Sequence, residues 1–225
     1  MELENYDKFP QDIPLIIEDE IFLYPFMIAP LFLNSDDNIS AVEHAIEENK
    51  LVIVAVSKQG KEGKREDDSF YDVGVVGNIM RKVSLPDGKI KVLFQGLSKG
   101  RINQLDQEQP VLCNVDILEN KPFEEESVKS VISVLVEQVK KLSRLNSKFP
   151  ADLIKTIEEN DDATRIADLI SSVLKVKKDD AYKLFAQTDI EQRLLDIIEV
   201  IKKEIESFKI QKEITQKVNS KIEKT

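Results

Sequence analysis

Leu85-Pro86-Asp87-Gly88-Lys89-Ile90-Lys91-Val92-Leu93-Phe94-Gln95-Gly96-Leu97 is the stretch whose reading decides the fold. Proline presets φ for a turn, the Asp side chain bonds the local backbone, and Gly accepts positive φ. Leu85 to Gly88 is therefore a tight turn, and the runs on either side of it, Val73 to Val83 and Lys89 to Leu97, read as the two strands of a hairpin.

Upstream, Leu51-Val52-Ile53-Val54-Ala55-Val56 is a β-branched apolar run of the kind that forms a buried strand. Downstream, Val111, Cys113, Val115 and Ile117 alternate with Leu112, Asn114, Asp116 and Leu118, a further strand. One helix interrupts this β-rich region: Asn38 is placed to cap Ile39 to Glu48, with Val42, Ala45 and Ile46 on the inner face. Gly60 to Asp68 is charged, with nothing to bury, and reads as a mobile loop.

Punctuation changes after residue 120. All seven glycines fall between Gly60 and Gly100, and no proline follows Pro150. Helices are expected from Glu124 to about Asn146, from Pro150, from Asp161-Asp162 and from Asp179-Asp180. Asp189 opens a long amphipathic stretch in which Ile190, Leu194, Ile197, Ile201, Ile205 and Phe208 form one face. Beyond Phe208 the stripe thins to Ile210, Ile214, Val218 and Ile222. A helix of that length reaches roughly 50 Å, more than a small bundle is wide, so its end should project. The fold class is thus α+β. A twisted β-sheet or barrel-like lobe with one helix (1–120) precedes a helical bundle (121–188) and a long projecting helix (189–225).

Composition narrows the function. With 41% hydrophobic and 33% charged residues the chain is an ordinary soluble type, and its acidic N-terminus is no secretory signal. The apolar run Ile21 to Leu33 is broken by Pro25 and Pro30 and is too short to span a bilayer. Cys113 has no cysteine to pair with, which fits a reducing, cytoplasmic location. Residues 1–120 hold 12 Lys/Arg against 22 Asp/Glu and residues 121–225 hold 20 of each, so no basic footprint for nucleic acid is expected.

Chemistry-bearing motifs are missing from the sequence. The Gly-Lys pairs continue as Gly60-Lys61-Glu62, Gly63-Lys64-Arg65 and Gly88-Lys89-Ile90, and none completes a phosphate-binding P-loop. No Gly-x-Ser-x-Gly elbow occurs, and a lone His44 with a lone Cys113 makes no metal cluster. Cys113 reads as core, His44 as solvated surface, and Asp67-Asp68 and Asp161-Asp162 as loop and helix-start charges. No catalytic, cofactor-binding or metal-binding residue is assigned.

Three segments resemble the N-terminal domain of the Lon ATP-dependent protease family. Pro25-Phe26-Met27-Ile28-Ala29-Pro30-Leu31-Phe32 with Ala41-Val42-Glu43 is similar to its opening, and Tyr71-Asp72-Val73-Gly74-Val75-Val76-Gly77-Asn78-Ile79 to its second block. The hairpin stretch quoted above, with Arg101-Ile102, resembles its third block closely. Thr164-Arg165-Ile166-Ala167-Asp168-Leu169-Ile170 and Glu191-Gln192-Arg193-Leu194 also match the family's helical pattern. Phe26 stands where that family usually has glycine, and Asp19-Glu20 near its usual Arg-Asp pair.

The resemblance implies a non-catalytic domain that recognises unfolded, damaged or regulatory protein substrates and supports ring assembly. It also implies a homohexameric parent serine protease that uses ATP and Mg, with no cofactor in these residues. A free-standing adaptor and an independent enzyme are the alternative readings. Exposed apolar side chains are what unfolded substrates would meet. The expected contacts are Tyr24, Pro25, Phe26 and Met27 at a proline-flanked turn, and Leu85 and Pro86 at the hairpin tip.

Overall fold

A computed structural model describes residues 9–58, 69–106 and 108–224. The loop expected over Gly60 to Asp68, and Asp67-Asp68 within it, lie outside the described residues. The chain divides into two compact units, Met1–Glu119 and Asn120–Thr225.

The first unit holds β1 (Ile13–Glu18), β2 (Ile28–Leu33), α1 (Asp36–Glu47), β3 (Leu51–Val56), β4 (Val73–Ser84), β5 (Ile90–Leu105) and β6 (Leu112–Ile117). The sheet runs β2-β5-β4-β3-β1-β6, and β6 returns to pair with β5. Five strands thus close into a small barrel, with β2 attached to β5 outside the ring. β1 and β3 are parallel and the other pairings antiparallel. Ile13, Leu15, Ile17, Leu51, Ile53, Ala55, Val76, Val111, Cys113 and Val115 fill the core. β3 is buried on both faces, as its unbroken apolar run requires.

Several sequence expectations need correction. β1 and β2 are not among the strands read from the sequence, where Pro25 and Pro30 break the run Ile21 to Leu33. Pro14 sits at the start of β1 and Pro30 on the outermost strand, positions where a missing N–H breaks no ladder. Ser35, not Asn38, caps α1, its hydroxyl accepting from the Asn38 N–H at 3.1 Å. Asn38 is buried instead, taking the Ile17 N–H (3.0 Å) and donating Nδ2–H to the Ile17 carbonyl (2.9 Å). Ile46 faces solvent rather than the core, and His44 is half-buried rather than solvated.

The second unit is α-helical: α2 (Glu125–Leu145), α3 (Ala151–Glu158), α4 (Ala163–Ser171), α5 (Lys178–Ala186) and α6 (Ile190–Ile222). Asp162 and Asp189 cap α4 and α6 by accepting backbone N–H bonds. Val128, Leu135, Val139 and Leu142 of α2 pack with Ile166 and Ile170 of α4 and with Ile190, Leu194, Ile197, Ile201 and Ile205 of α6. Residues 209–222 of α6 are all exposed. The α-helical unit and the β-rich unit together make an α+β chain.

One ion pair is sealed inside the helical unit. Arg193 Nη2 of α6 lies 2.6 Å from Asp168 Oδ1 of α4, and both side chains are almost wholly buried. Each charge makes the burial of the other tolerable, so the pair fixes the register of α4 on α6. Removing one member strands the other: Arg193→Met should lower stability by about 3–5 kcal/mol. Arg193→Met with Asp168→Leu should recover most of that loss. Urea titrations followed at 222 nm check both values.

Candidate functional site

The outer face of the hairpin sheet is where unit 1 leaves large apolar side chains in water. Register stacks them in rows across three strands. Phe32 of β2, Lys91 of β5 and Val83 of β4 form one row; Pro30, Leu93 and Arg81 form the next; Ile28, Gln95 and Asn78 form the third. Phe32 is 66% exposed, Ile28 54% and Val83 38%. Met80 stands in the β-bulge between Ile79 and Arg81 and is also exposed. The intervening residues Leu31, Leu33, Val92 and Phe94 point the other way and are buried. This is the two-residue period of a strand with one face in the core. Here the solvent face also carries apolar side chains, set among Lys91, Arg81, Gln95 and Asn78.

A strained turn holds the top of this face. Phe26 N–H donates to the Gly96 carbonyl (2.8 Å), Gly96 N–H to the Met27 carbonyl (2.9 Å), and Met27 N–H to the Tyr24 carbonyl (3.4 Å). Gly96 permits that approach: a Cβ there would stand 2.4 Å from the Tyr24 carbonyl oxygen. Phe26 adopts φ of +64°, a conformation that costs a bulky residue roughly 1–2 kcal/mol, and the residue is 46% exposed. Tyr24 is buried, with Lys99 Nζ 5.5 Å from its ring centroid. At the other end of the sheet, Leu85 N–H bonds the Lys89 carbonyl and Gly88 takes φ of +79°. Leu85 is half-buried there and Pro86 exposed.

The residues expected from sequence are therefore not one cluster. Phe26 is the exposed member, Pro25 and Met27 are half-buried, and Tyr24 faces inward. Leu85 and Pro86 lie about 20 Å away, at the far end of the six paired residues Ile90 to Gln95. What joins the two places is the exposed row set of β2. Its Ile28 and Phe32 were missed because Pro25 and Pro30 hid the strand. All six residues from Ile28 to Leu33 are apolar, so no polar alternation marks which of them face water.

Concave features elsewhere suit this role less well. A groove beside α5 and α6 is lined by Lys175, Lys177, Lys183 and Lys203, but Asp180, Asp196, Glu199 and Glu204 face the same space. Burial raises the Glu204 carboxyl above the usual range, with Lys175 opposing the shift. Mixed charge of this kind favours neither an anion nor an apolar chain. Among the described residues, no group of three His, Cys, Asp or Glu is placed to hold a metal, and no helix is long and apolar enough to cross a membrane.

Comparison with known proteins assigns the family. The model for the "ATP-dependent protease La (LON) substrate-binding domain" matches residues 12–203. The chain belongs to the Lon substrate-binding domain family. A Lon protease from Campylobacter concisus is 48% identical over 225 residues, covering 100% of this chain and 28% of the relative. One from Helicobacter pylori is 44% identical over 224 residues, covering 97% of this chain and 26% of the relative. The chain thus spans little more than a quarter of the length of these curated relatives.

The N-terminal domain of a Mycobacterium avium complex Lon protease shares the fold, with a TM-score of 0.69 at 16% identity. That match covers 85% of this chain and 98% of the other. These residues correspond to the Lon N-terminal substrate-binding domain, and the Lon protease domain is not among them.

Strain and close approach at the turn give opposite expectations for two substitutions. Phe26→Gly should stabilise the domain by about 1 kcal/mol, because glycine adopts φ of +64° without penalty. Gly96→Ala should cost about 1–3 kcal/mol, because its methyl meets backbone rather than a yielding side chain. Denaturant midpoints of the two variants check both signs.

Proposed function

We propose that this chain recognises client polypeptides for a Lon-type ATP-dependent protease. In this reading the outer face of the hairpin sheet is the contact surface. The observation that supports it is the exposure of Ile28 and Phe32 on the outermost strand, and of Phe26 in the turn before it, in a domain whose family binds substrates. Native proteins hide apolar segments, so a surface that rewards apolar contact discriminates for unfolded or damaged chains. Regulatory proteins with an exposed apolar segment would be selected in the same way. Met27 and Met80 add adaptable, polarizable contacts, which suits varied clients.

The remaining parts of the function belong to residues outside this chain. Bond cleavage by a serine nucleophile, and ATP and Mg, would reside in the other domains of the parent protease. Assembly as a hexamer would repeat the apolar face around a ring, so that several weak contacts act together and raise effective concentration. The cytoplasm, where damaged proteins accumulate and Cys113 stays reduced, is the proposed location.

Replacing Ile28 and Phe32 together by Ser tests the contact surface. Both side chains already face water, so folding should be unaffected. Binding to an unfolded model protein such as carboxymethylated lactalbumin should weaken at least about tenfold, from the loss of roughly 1.5–3 kcal/mol per buried apolar side chain. Unchanged affinity in a double variant with an unaltered circular dichroism spectrum would remove the face from the site.

A further inference from the structure

β2 ends the strand order, so one of its edges pairs with β5 and the other meets no strand among the described residues. Register settles which backbone groups face the open edge. The Gly96 N–H bond to the Met27 carbonyl makes Met27–Gly96 a hydrogen-bonded pair. Antiparallel pairs alternate, so Ala29–Phe94, Leu31–Val92 and Leu33–Ile90 are bonded likewise. Ile28, Pro30 and Phe32 therefore turn their polar groups outward. The open edge offers the N–H groups of Ile28 and Phe32 and the carbonyls of Ile28, Pro30 and Phe32. The side chains of the same residues form the exposed apolar row, so backbone and side-chain complementarity coincide on one strand.

Charge gives the edge a direction. Residues 81–91 hold four of the 12 Lys/Arg found in residues 1–120, namely Arg81, Lys82, Lys89 and Lys91, against one acid, Asp87. Lys89 is paired with Asp87 and Lys82 with Glu43. Lys91 makes no ion pair among the described residues, and its Nζ lies 5.6 Å from the centroid of the Phe32 ring. On the outer face Lys91 thus stands beside Phe32 as an available cation, while the acids Asp36 and Asp37 open α1 just past Leu33. A second copy of β2 fits the edge poorly. In a self-pair centred on Pro30 the two prolines would face each other with no N–H between them.

We infer that the open edge of β2 takes an extended client segment as an added antiparallel strand. The segment is apolar at alternate residues along Ile28 to Phe32 and acidic at its amino-terminal end, which this direction sets beside Lys91. The inference rests on the reading of the outer face as the client surface and adds how the client is held. Main-chain bonds supply affinity independent of sequence, and the row of side chains selects apolar character. Pro30 keeps the edge incomplete, so that the added strand stays exchangeable.

The test uses the 225-residue chain and a fluorescent decapeptide, Asp-Asp-Ser-Val-Ser-Phe-Ser-Val-Ser-Gly. Two further versions are N-methylated on one or the other alternate set of amides. Strand addition predicts that one methylated version binds at least about tenfold more weakly while the other binds like the parent peptide. It also predicts slowed hydrogen exchange at the Ile28 and Phe32 amides, and weaker binding when Asp-Asp is replaced by Lys-Lys. Equal binding of all versions without that protection, but sensitive to Ile28→Ser with Phe32→Ser, would overturn strand addition and leave the client face standing. Binding indifferent to those substitutions would overturn both, as would no binding of the parent peptide. Protection of the two amides without peptide, rising with protein concentration, would assign the edge to a second copy and overturn the inference.

Discussion

The sixteen-residue strand β5 has to satisfy backbone groups on both of its edges. β4 covers one edge from Ile90 to Arg101, but the other is divided. β2 takes Ile90 to Gln95, β6 takes Gly100 to Leu105, and the Tyr24–Met27 turn is stapled to Gly96 between them. This division closes the barrel through β6 and leaves β2 outside it. An extra strand outside a closed ring must have an open edge and a face without a covering layer. The apolar surface at Ile28 and Phe32 is therefore a consequence of how β5 is shared, and Gly96 is the residue that makes the sharing sterically possible.

The helical unit solves a different problem. Its core is made by stripes on α2, α4 and α6, and apolar stripes alone tolerate sliding by a turn. The buried Arg193–Asp168 pair penalises any register in which the two charges part. Both residues lie in segments that match the family's helical pattern, and their role in this chain is packing. α6 then continues past the core for residues 209–222, with Ile210, Ile214, Val218 and Ile222 exposed.

Much of this was legible in the sequence where periodicity and punctuation agree. The hairpin around Pro86-Asp87-Gly88, the doubly buried Leu51–Val56 strand and the Asp-capped helices follow from local chemistry. The strands that escaped notice, β1 and β2, contain Pro14 and Pro30, whose strand positions depend on which neighbour is missing, a tertiary fact. The sequence places Asn38 as the α1 cap, but its side chain is taken by the Ile17 backbone and Ser35 caps the helix, a tertiary fact. The candidate site was half visible. Phe26 could be named as an apolar residue at a turn, whereas Ile28 and Phe32 could be placed on one face only once β2 was known to be a strand.

Client recognition of the proposed kind requires the polypeptide to lie against the outer row of β2. Site-specific photocrosslinking tests that most directly, with benzoylphenylalanine in place of Phe32 and, in a second protein, in place of Leu195, an exposed apolar residue of α6. Irradiation in the presence of an unfolded client should yield an adduct from position 32 and none from position 195. An adduct from position 195 alone, with position 32 silent, would contradict the account and move the client surface to the helical unit.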